Sequence, residues 1–187
     1  MQQNFIIPKV EDSCLLFIDM QERLISAMPS DISETIRKQQ ILLDAMKILN
    51  MKVVITEQYP KGLGHTIGEL SEHFDESWSI IEKSTFSALG EPEVRKKITE
   101  LSLKTVVIAG IESHVCVLQS VIDSLEKGYQ TILLTDAVNS RNSIDKESAF
   151  ETAKSAGAYL MSVESLLFML MRDAKHPAFK NVSKLLR

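Results

Sequence analysis

The sequence predicts a three-layer α/β/α fold, a parallel sheet covered by helices on both faces. Three observations carry the expectation. Short apolar, β-branched runs alternate with longer stretches of helical periodicity. The stretches between them, at ~10–20 residues, are long enough to be the crossovers that parallel strands require. The runs themselves are almost continuously apolar, which suits strands buried from both sides.

Taken in order, Cys14–Ile18 reads as the first strand and ends at a carboxylate, Asp19. From Asp31 to Asn50, the residues Ile32, Ile36, Leu42, Leu43, Met46 and Leu49 recur at helical spacing. Lys52–Thr56 is a β-branched second strand, and Tyr59–Gly64 is rich enough in breakers to be a loop. Ser79–Glu82 is a short third strand before Lys83. Pro92 opens a helix running to about Ser102, since proline suits a first helical turn. Thr105–Gly110 is the fourth strand, and Val115–Lys127 a helix closed by Gly128. Tyr129–Thr135, followed by Asp136, and Ala158–Val163 are the last strands, with a helix from Asp145 to Ala156 between them. Leu166–Met171 begins a final helix.

At 187 residues the chain is expected to form one domain, residues 1–187, because ~150 residues is a usual domain size. Its composition is 44% hydrophobic and 25% charged, which excludes a disordered or low-complexity chain. A net charge of −4 gives no broad electrostatic claim on nucleic acid or on an anionic membrane. The expected partner is a small-molecule substrate, with no nucleic acid and no membrane. Met1–Asn4 lacks the positive start of a signal peptide, and the apolar runs Val106–Ile111 and Leu166–Met171 are far shorter than the ~20 residues of a span. Two cysteines, Cys14 and Cys116, are too few for a disulfide scaffold and point to a reducing, cytoplasmic setting.

Ligands of open parallel sheets bind beyond the carboxyl ends of the strands. The polar residues standing there are Asp19, then Glu57 and Gln58, then Lys83, then Ser113, His114 and Cys116, and finally Asp136. Each admits a plain reading. Cys116 is either a small buried hydrophobe or a thiol activated at a helix N-terminus, where backbone N–H groups favour thiolate. Lys83 is either a solvated charge or part of a site, and Asp19 either caps a loop or acts as an acid. His114 does not face Cys116, because residues two apart on a helix point away from each other. Gly62-Leu63-Gly64 lacks the third glycine and the strand-to-helix setting of a dinucleotide fingerprint.

Three segments together carry a resemblance. Phe17-Ile18-Asp19-Met20-Gln21, then Lys83, then Gly110-Ile111-Glu112-Ser113-His114-Val115-Cys116-Val117 is similar to the isochorismatase-like cysteine hydrolases, over about Cys14 to Val163. The resemblance implies a six-stranded parallel sheet in the order 3-2-1-4-5-6 and a catalytic triad of Asp19, Lys83 and Cys116. It also implies a non-proline cis peptide between Ile111 and Glu112, with the backbone N–H groups of Glu112 and Cys116 forming an oxyanion hole. In such a site Asp19 takes the thiol proton, Lys83 steadies the thiolate, and an amide is cleaved through a thioester.

Metal-dependent nicotinamidases of this family carry an Asp-x-His pair and a further histidine after the second strand. Here that place reads Thr56-Glu57-Gln58-Tyr59-Pro60, with no histidine until His65. The expectation is therefore no metal, no cofactor, and a substrate other than nicotinamide. The run from Thr56 to Gly64 resembles the branch known only as isochorismatase-domain-containing proteins. Gln21, Gln58, Tyr59, Trp78 and Phe86 are the candidates to line a substrate pocket, although a lone tryptophan such as Trp78 is more often packing than a ligand platform. Members of the family are commonly oligomers, so a homo-oligomer is expected. The rival reading is a non-catalytic binding or scaffold protein that retains the fold.

Overall fold

A computed structural model of the protein describes residues 5–29 and 32–187. Met1–Asn4 and Asp31, the expected start of the first long helix, lie outside the described residues. The chain runs β1 (Ser13–Ile18), a turn α1 (Glu22–Ile25), α2 (Ile32–Leu49) and β2 (Lys52–Gln58). Two helical turns, α3 (Pro60–Leu63) and α4 (Gly68–Ser71), lead to β3 (Ser79–Lys83). Then follow α5 (Pro92–Glu100), β4 (Thr105–Ile111), α6 (Leu118–Glu126), β5 (Gln130–Asn139) and α7 (Ser143–Ala156). The chain finishes with β6 (Tyr159–Met161), α8 (Val163–Met171) and α9 (Phe179–Leu185).

The six strands are all parallel and lie in the order β3-β2-β1-β4-β5-β6. Alternate strand residues point to opposite faces, and two cores result. Leu15, Phe17, Val53, Ile55, Val107 and Ala109 pack beneath α2, α8 and α9. Leu16, Ile18, Val54, Val106 and Ile108 pack beneath α5, α6 and α7. Every residue of β1 and β4 is buried, as a sheet covered on both sides demands. The strand order reverses direction between β1 and β4, so their carboxyl ends open the crevice in which doubly wound sheets bind ligands.

Several boundaries differ from the sequence expectation: strand pairing lengthens β2, β3 and β5, whereas β6, expected over Ala158–Val163, pairs only over Tyr159–Met161. β2 continues through Glu57 to Gln58, and β3 takes in Lys83, because Glu57 pairs with Glu82 and Gln58 with Lys83. β5 does not end before Asp136 but runs on to Asn139. Its register against β4 slips there, from Ile108 opposite Leu133 to Gly110 opposite Val138. Tyr59–Gly64, expected as a loop, contains the single helical turn α3 with Pro60 at its start. The chain from Ser113 to Val117 forms a wide π turn before α6, so the expected helix begins two residues early and in a looser winding.

Candidate active site

Asp19 follows β1 directly and leaves the strand with φ 54°, a left-handed backbone that aspartate tolerates better than most residues. Its N–H donates to the Thr56 carbonyl at 3.1 Å, and the Thr56 hydroxyl donates to Asp19 Oδ1 at 2.7 Å. The other oxygen, Oδ2, meets Lys83 Nζ at 2.7 Å, with both side chains wholly buried. Lys83 reaches it from β3, two strands away, a span of ~10 Å that only a long side chain bridges. Lys83 Nζ also donates to Gln58 Oε1 at 2.5 Å, to the Thr85 carbonyl at 3.0 Å and to the Phe86 carbonyl at 3.1 Å. An unpaired buried ammonium is very costly, and this cage of oxygens removes that cost.

Cys116 approaches from β4 through the π turn. Its carbonyl accepts from the Ser120 hydroxyl at 2.6 Å, and Ser120 Oγ in turn accepts from the Ala88 N–H at 2.8 Å. The carboxylate of Asp19 and the ammonium of Lys83 both act on the thiol, in opposite directions. Burial, and then the Asp19 charge, push the thiol up to about 12 against the pull of Lys83. The expected low-pKa thiol is thereby corrected: the helix N-terminus does not outweigh desolvation and an adjacent carboxylate. Burial also raises the Asp19 carboxyl, opposed by Lys83, Thr56 and Cys116. Moving the proton from thiol to carboxylate leaves the net charge of the buried group unchanged, so the step adds no new charge to a dry site.

Two backbone features bring these side chains together. Gly110, at φ 126°, lies so close to β1 that a Cβ there would stand 2.0 Å from the Ile18 carbonyl oxygen. Only glycine lets β4 run this near the strand end that carries Asp19. The Ile111–Glu112 peptide is cis. The Glu112 carbonyl accepts from the Val115 and Val117 N–H groups, while its side chain accepts from Arg141 N at 3.1 Å and Arg141 Nε at 3.0 Å. His114 turns away to the Ser140 hydroxyl at 3.0 Å.

The residues expected to line a pocket are placed differently. Gln21 is fully buried and clamps the backbone: Nε2 donates to the Gln58 and Gly64 carbonyls, and Oε1 accepts from the Gln58 N–H. Gln58 spends its side chain on Lys83 and on the Ser84 carbonyl, so it holds the ammonium. Trp78, half-buried, packs on Phe74 against the core of the other face of the sheet from Cys116, which corrects its placement as a pocket residue. Tyr59 and Phe86 are exposed and flank Lys83, one through its N–H and one through its carbonyl. Asp136, counted among the polar residues at the strand ends, accepts from the Val163 N–H at 2.8 Å and caps α8 instead.

Sequence reasoning missed Thr56 and the cage-forming role of Gln58. The almost continuously apolar β2 offered no signal that its last polar residues would turn toward neighbouring strands. Glu57 is taken up locally, its oxygens accepting from Thr66 N–H and hydroxyl and meeting His65 Nδ1 at 2.8 Å. Burial raises the Glu57 carboxyl, but these partners win and hold it below its ordinary range. Among the described residues no three His, Cys, Asp or Glu side chains converge as a metal-ligand group. Cys14 and Cys116 are both free, and Cys14 is sealed in the amino-terminal half of β1.

A thiol, a carboxylate and an ammonium gathered at the switch point of a doubly wound sheet form a site of the cysteine-hydrolase type. The family model described as the isochorismatase domain matches residues 13–165, and the chain belongs to that family. It is 38% identical to isochorismatase domain-containing protein 2 of Xenopus laevis, over 94% of this chain and 84% of that protein. A solved structure described as the MAR1 ribonuclease of Caenorhabditis elegans is 37% identical, with a TM-score of 0.90 over 96% of this chain and 91% of that one. YcaC from Pseudomonas aeruginosa, solved with hexane-2,5-diol and covalent acrylamide, is 25% identical with a TM-score of 0.87 over 98% of each chain.

The worm structure corrects one expectation. Net charge is a sum over the whole surface and reports nothing about a local site, so −4 does not exclude a nucleic-acid partner when so similar a chain is described as a ribonuclease. Among the described residues no helix is long and apolar enough to cross a membrane.

Proposed function

We propose that the protein is a cysteine hydrolase of a small amide, acting through Asp19, Lys83 and Cys116 without a metal. The observation that carries this reading is the buried Asp19–Lys83 pair at 2.7 Å, whose two charges both act on the buried Cys116 thiol. Asp19 takes the Cys116 proton as sulfur attacks the carbonyl carbon, and Lys83 keeps the group neutral overall. The Glu112 and Cys116 N–H groups receive the oxyanion. Asp19 then returns the proton to the leaving nitrogen, so ammonia departs and a thioester remains. Water, deprotonated by Asp19, cleaves the thioester to the acid and restores the thiol. A free thiol nucleophile suits a reducing, cytoplasmic setting.

The test is ammonia release from a panel of primary amides and ureides. Cys116→Ala is expected to lower turnover by about a thousandfold or more, as loss of a nucleophile does. Undiminished turnover in that variant would remove the thiol from the mechanism. Acrylamide, a small amide with an electrophilic carbon and the adduct present in the YcaC structure, is expected to label Cys116 in preference to Cys14.

A second reading takes RNA as the substrate. It is favoured by the likeness to the worm structure and by the exposed aromatic rings of Tyr59 and Phe86 beside Lys83, which could stack bases. Cleavage of single-stranded RNA that disappears in Cys116→Ala and in Tyr59→Ala would favour this reading over the first. Cleavage that survives both variants would trace to a contaminant.

A further inference from the structure

A cleft of about 530 Å³ lies at the end of the molecule opposite Cys116, where the chain enters β1 and leaves α8. We infer that this cleft is a binding site for a small organic monoanion, a carboxylate carried on a hydrocarbon body. Its size falls within the range of sites that enclose small ligands. The length of β1, about 20 Å at ~3.3 Å per residue, separates it from the catalytic crevice, so its occupant is not the substrate.

The lining has two characters. Val10, Leu49 and Leu170 give it an apolar wall, of which Leu49 and Leu170 belong to the buried core. Lys9 and Arg172 line it as cations against a single acid, Glu11, which leaves one positive charge for a ligand to match. Among the described residues neither Lys9 nor Arg172 takes part in an ion pair of the structure. A guanidinium presents two parallel donors to a carboxylate, the pairing that fixes orientation best.

Arg172 also sits where a glycine is expected. It ends α8 with φ 63° and ψ −30°, whereas α7 ends in the same sign of φ with Gly157. A bulky residue in this conformation is strained, and strain of this kind gathers at functional positions. The next residues hold a further donor in place. Asp173 nucleates a tight turn, its Oδ1 accepting from the Lys175 N–H at 2.8 Å and its carbonyl from the His176 N–H at 2.9 Å. His176 Nδ1 then accepts from the Ala178 N–H at 3.1 Å, which puts the ring proton on Nε2 as a donor. An apolar wall, a net single positive charge, a strained arginine and a pre-set imidazole donor together describe an amphipathic monoanion.

The test compares octanoate, octanol and acetate by calorimetry and thermal shift on the full chain. Octanoate is expected to bind at least tenfold more tightly than octanol or acetate and to raise the melting temperature. Arg172→Gly is the decisive variant because it relieves the backbone while deleting the guanidinium. It is expected to keep or raise the melting temperature of the free protein and to erase the tenfold preference for octanoate over octanol. Cys116→Ala is expected to bind octanoate unchanged. Equal affinity for octanoate and octanol, unchanged preference in Arg172→Gly, or loss of binding in Cys116→Ala would each overturn the assignment, the last by moving the anion to the catalytic crevice.

Discussion

Lys83 Nζ and Asp19 Oδ2 stand 2.7 Å apart with neither side chain reaching solvent. The pair joins the edge strand β3 to the central strand β1 across β2, and both charges act on the Cys116 thiol. Its energetic role is therefore mutual: each charge is tolerable only because the other is present.

Lys83→Met keeps the length and removes the charge, leaving Asp19 buried and unpaired. The expected loss is about 3–5 kcal/mol of stability, the usual result of breaking a buried pair from one side. The double variant Lys83→Met with Asp19→Asn removes both charges and is expected to recover a large part of that loss. Denaturant unfolding of the four proteins in the cycle measures it; purely additive effects would contradict the pairing.

The raised thiol gives a pH dependence of known sign. Below about 12 the thiolate fraction of Cys116 grows tenfold per pH unit. Alkylation by iodoacetamide is thus expected to be slow at neutral pH and to climb with that slope between pH 7 and pH 9. Asp19→Asn removes a charge that raises the thiol, so alkylation of this variant is expected to be faster while amide turnover is lost. Lys83→Met is expected to slow alkylation. Mass spectrometry of the modified cysteine reads all three.

Gly110→Ala tests the approach of β4 to β1. The added Cβ would meet the Ile18 carbonyl oxygen at 2.0 Å, and φ 126° is unfavourable for alanine. Destabilisation of about 3 kcal/mol or more is expected. Calorimetric melting would show it, together with loss of turnover, since the same shift separates Asp19 from Cys116.

Asp136→Ala separates capping from chemistry. The carboxylate accepts from the Val163 N–H at the start of α8. Its loss is expected to cost about 1 kcal/mol, as other cap deletions do, and to leave turnover per folded molecule unchanged. A fall in turnover without a fall in stability would return Asp136 to the site.

The sequence by itself determined the layers and the chemistry-bearing positions. Periodicity is local, so the all-apolar runs of β1 and β4 announced buried parallel strands. Asp19 and Lys83 stood at the ends of strand-like runs, and Cys116 a few residues beyond a third. The strand order came with the family resemblance and matches the structure. What only the tertiary structure decided depends on neighbours far apart in the chain. Lys83 lies in a cage completed by Gln58, Thr85 and Phe86, and Thr56 orients Asp19, because strands that pair bring their last residues side by side. Trp78 packs against the core and Gln21 on the backbone for the same reason: a side chain's role is set by which atoms surround it. The ionisation of Cys116 is the clearest case. Its position at a helix start suggested a thiolate, and burial against a carboxylate made it a thiol.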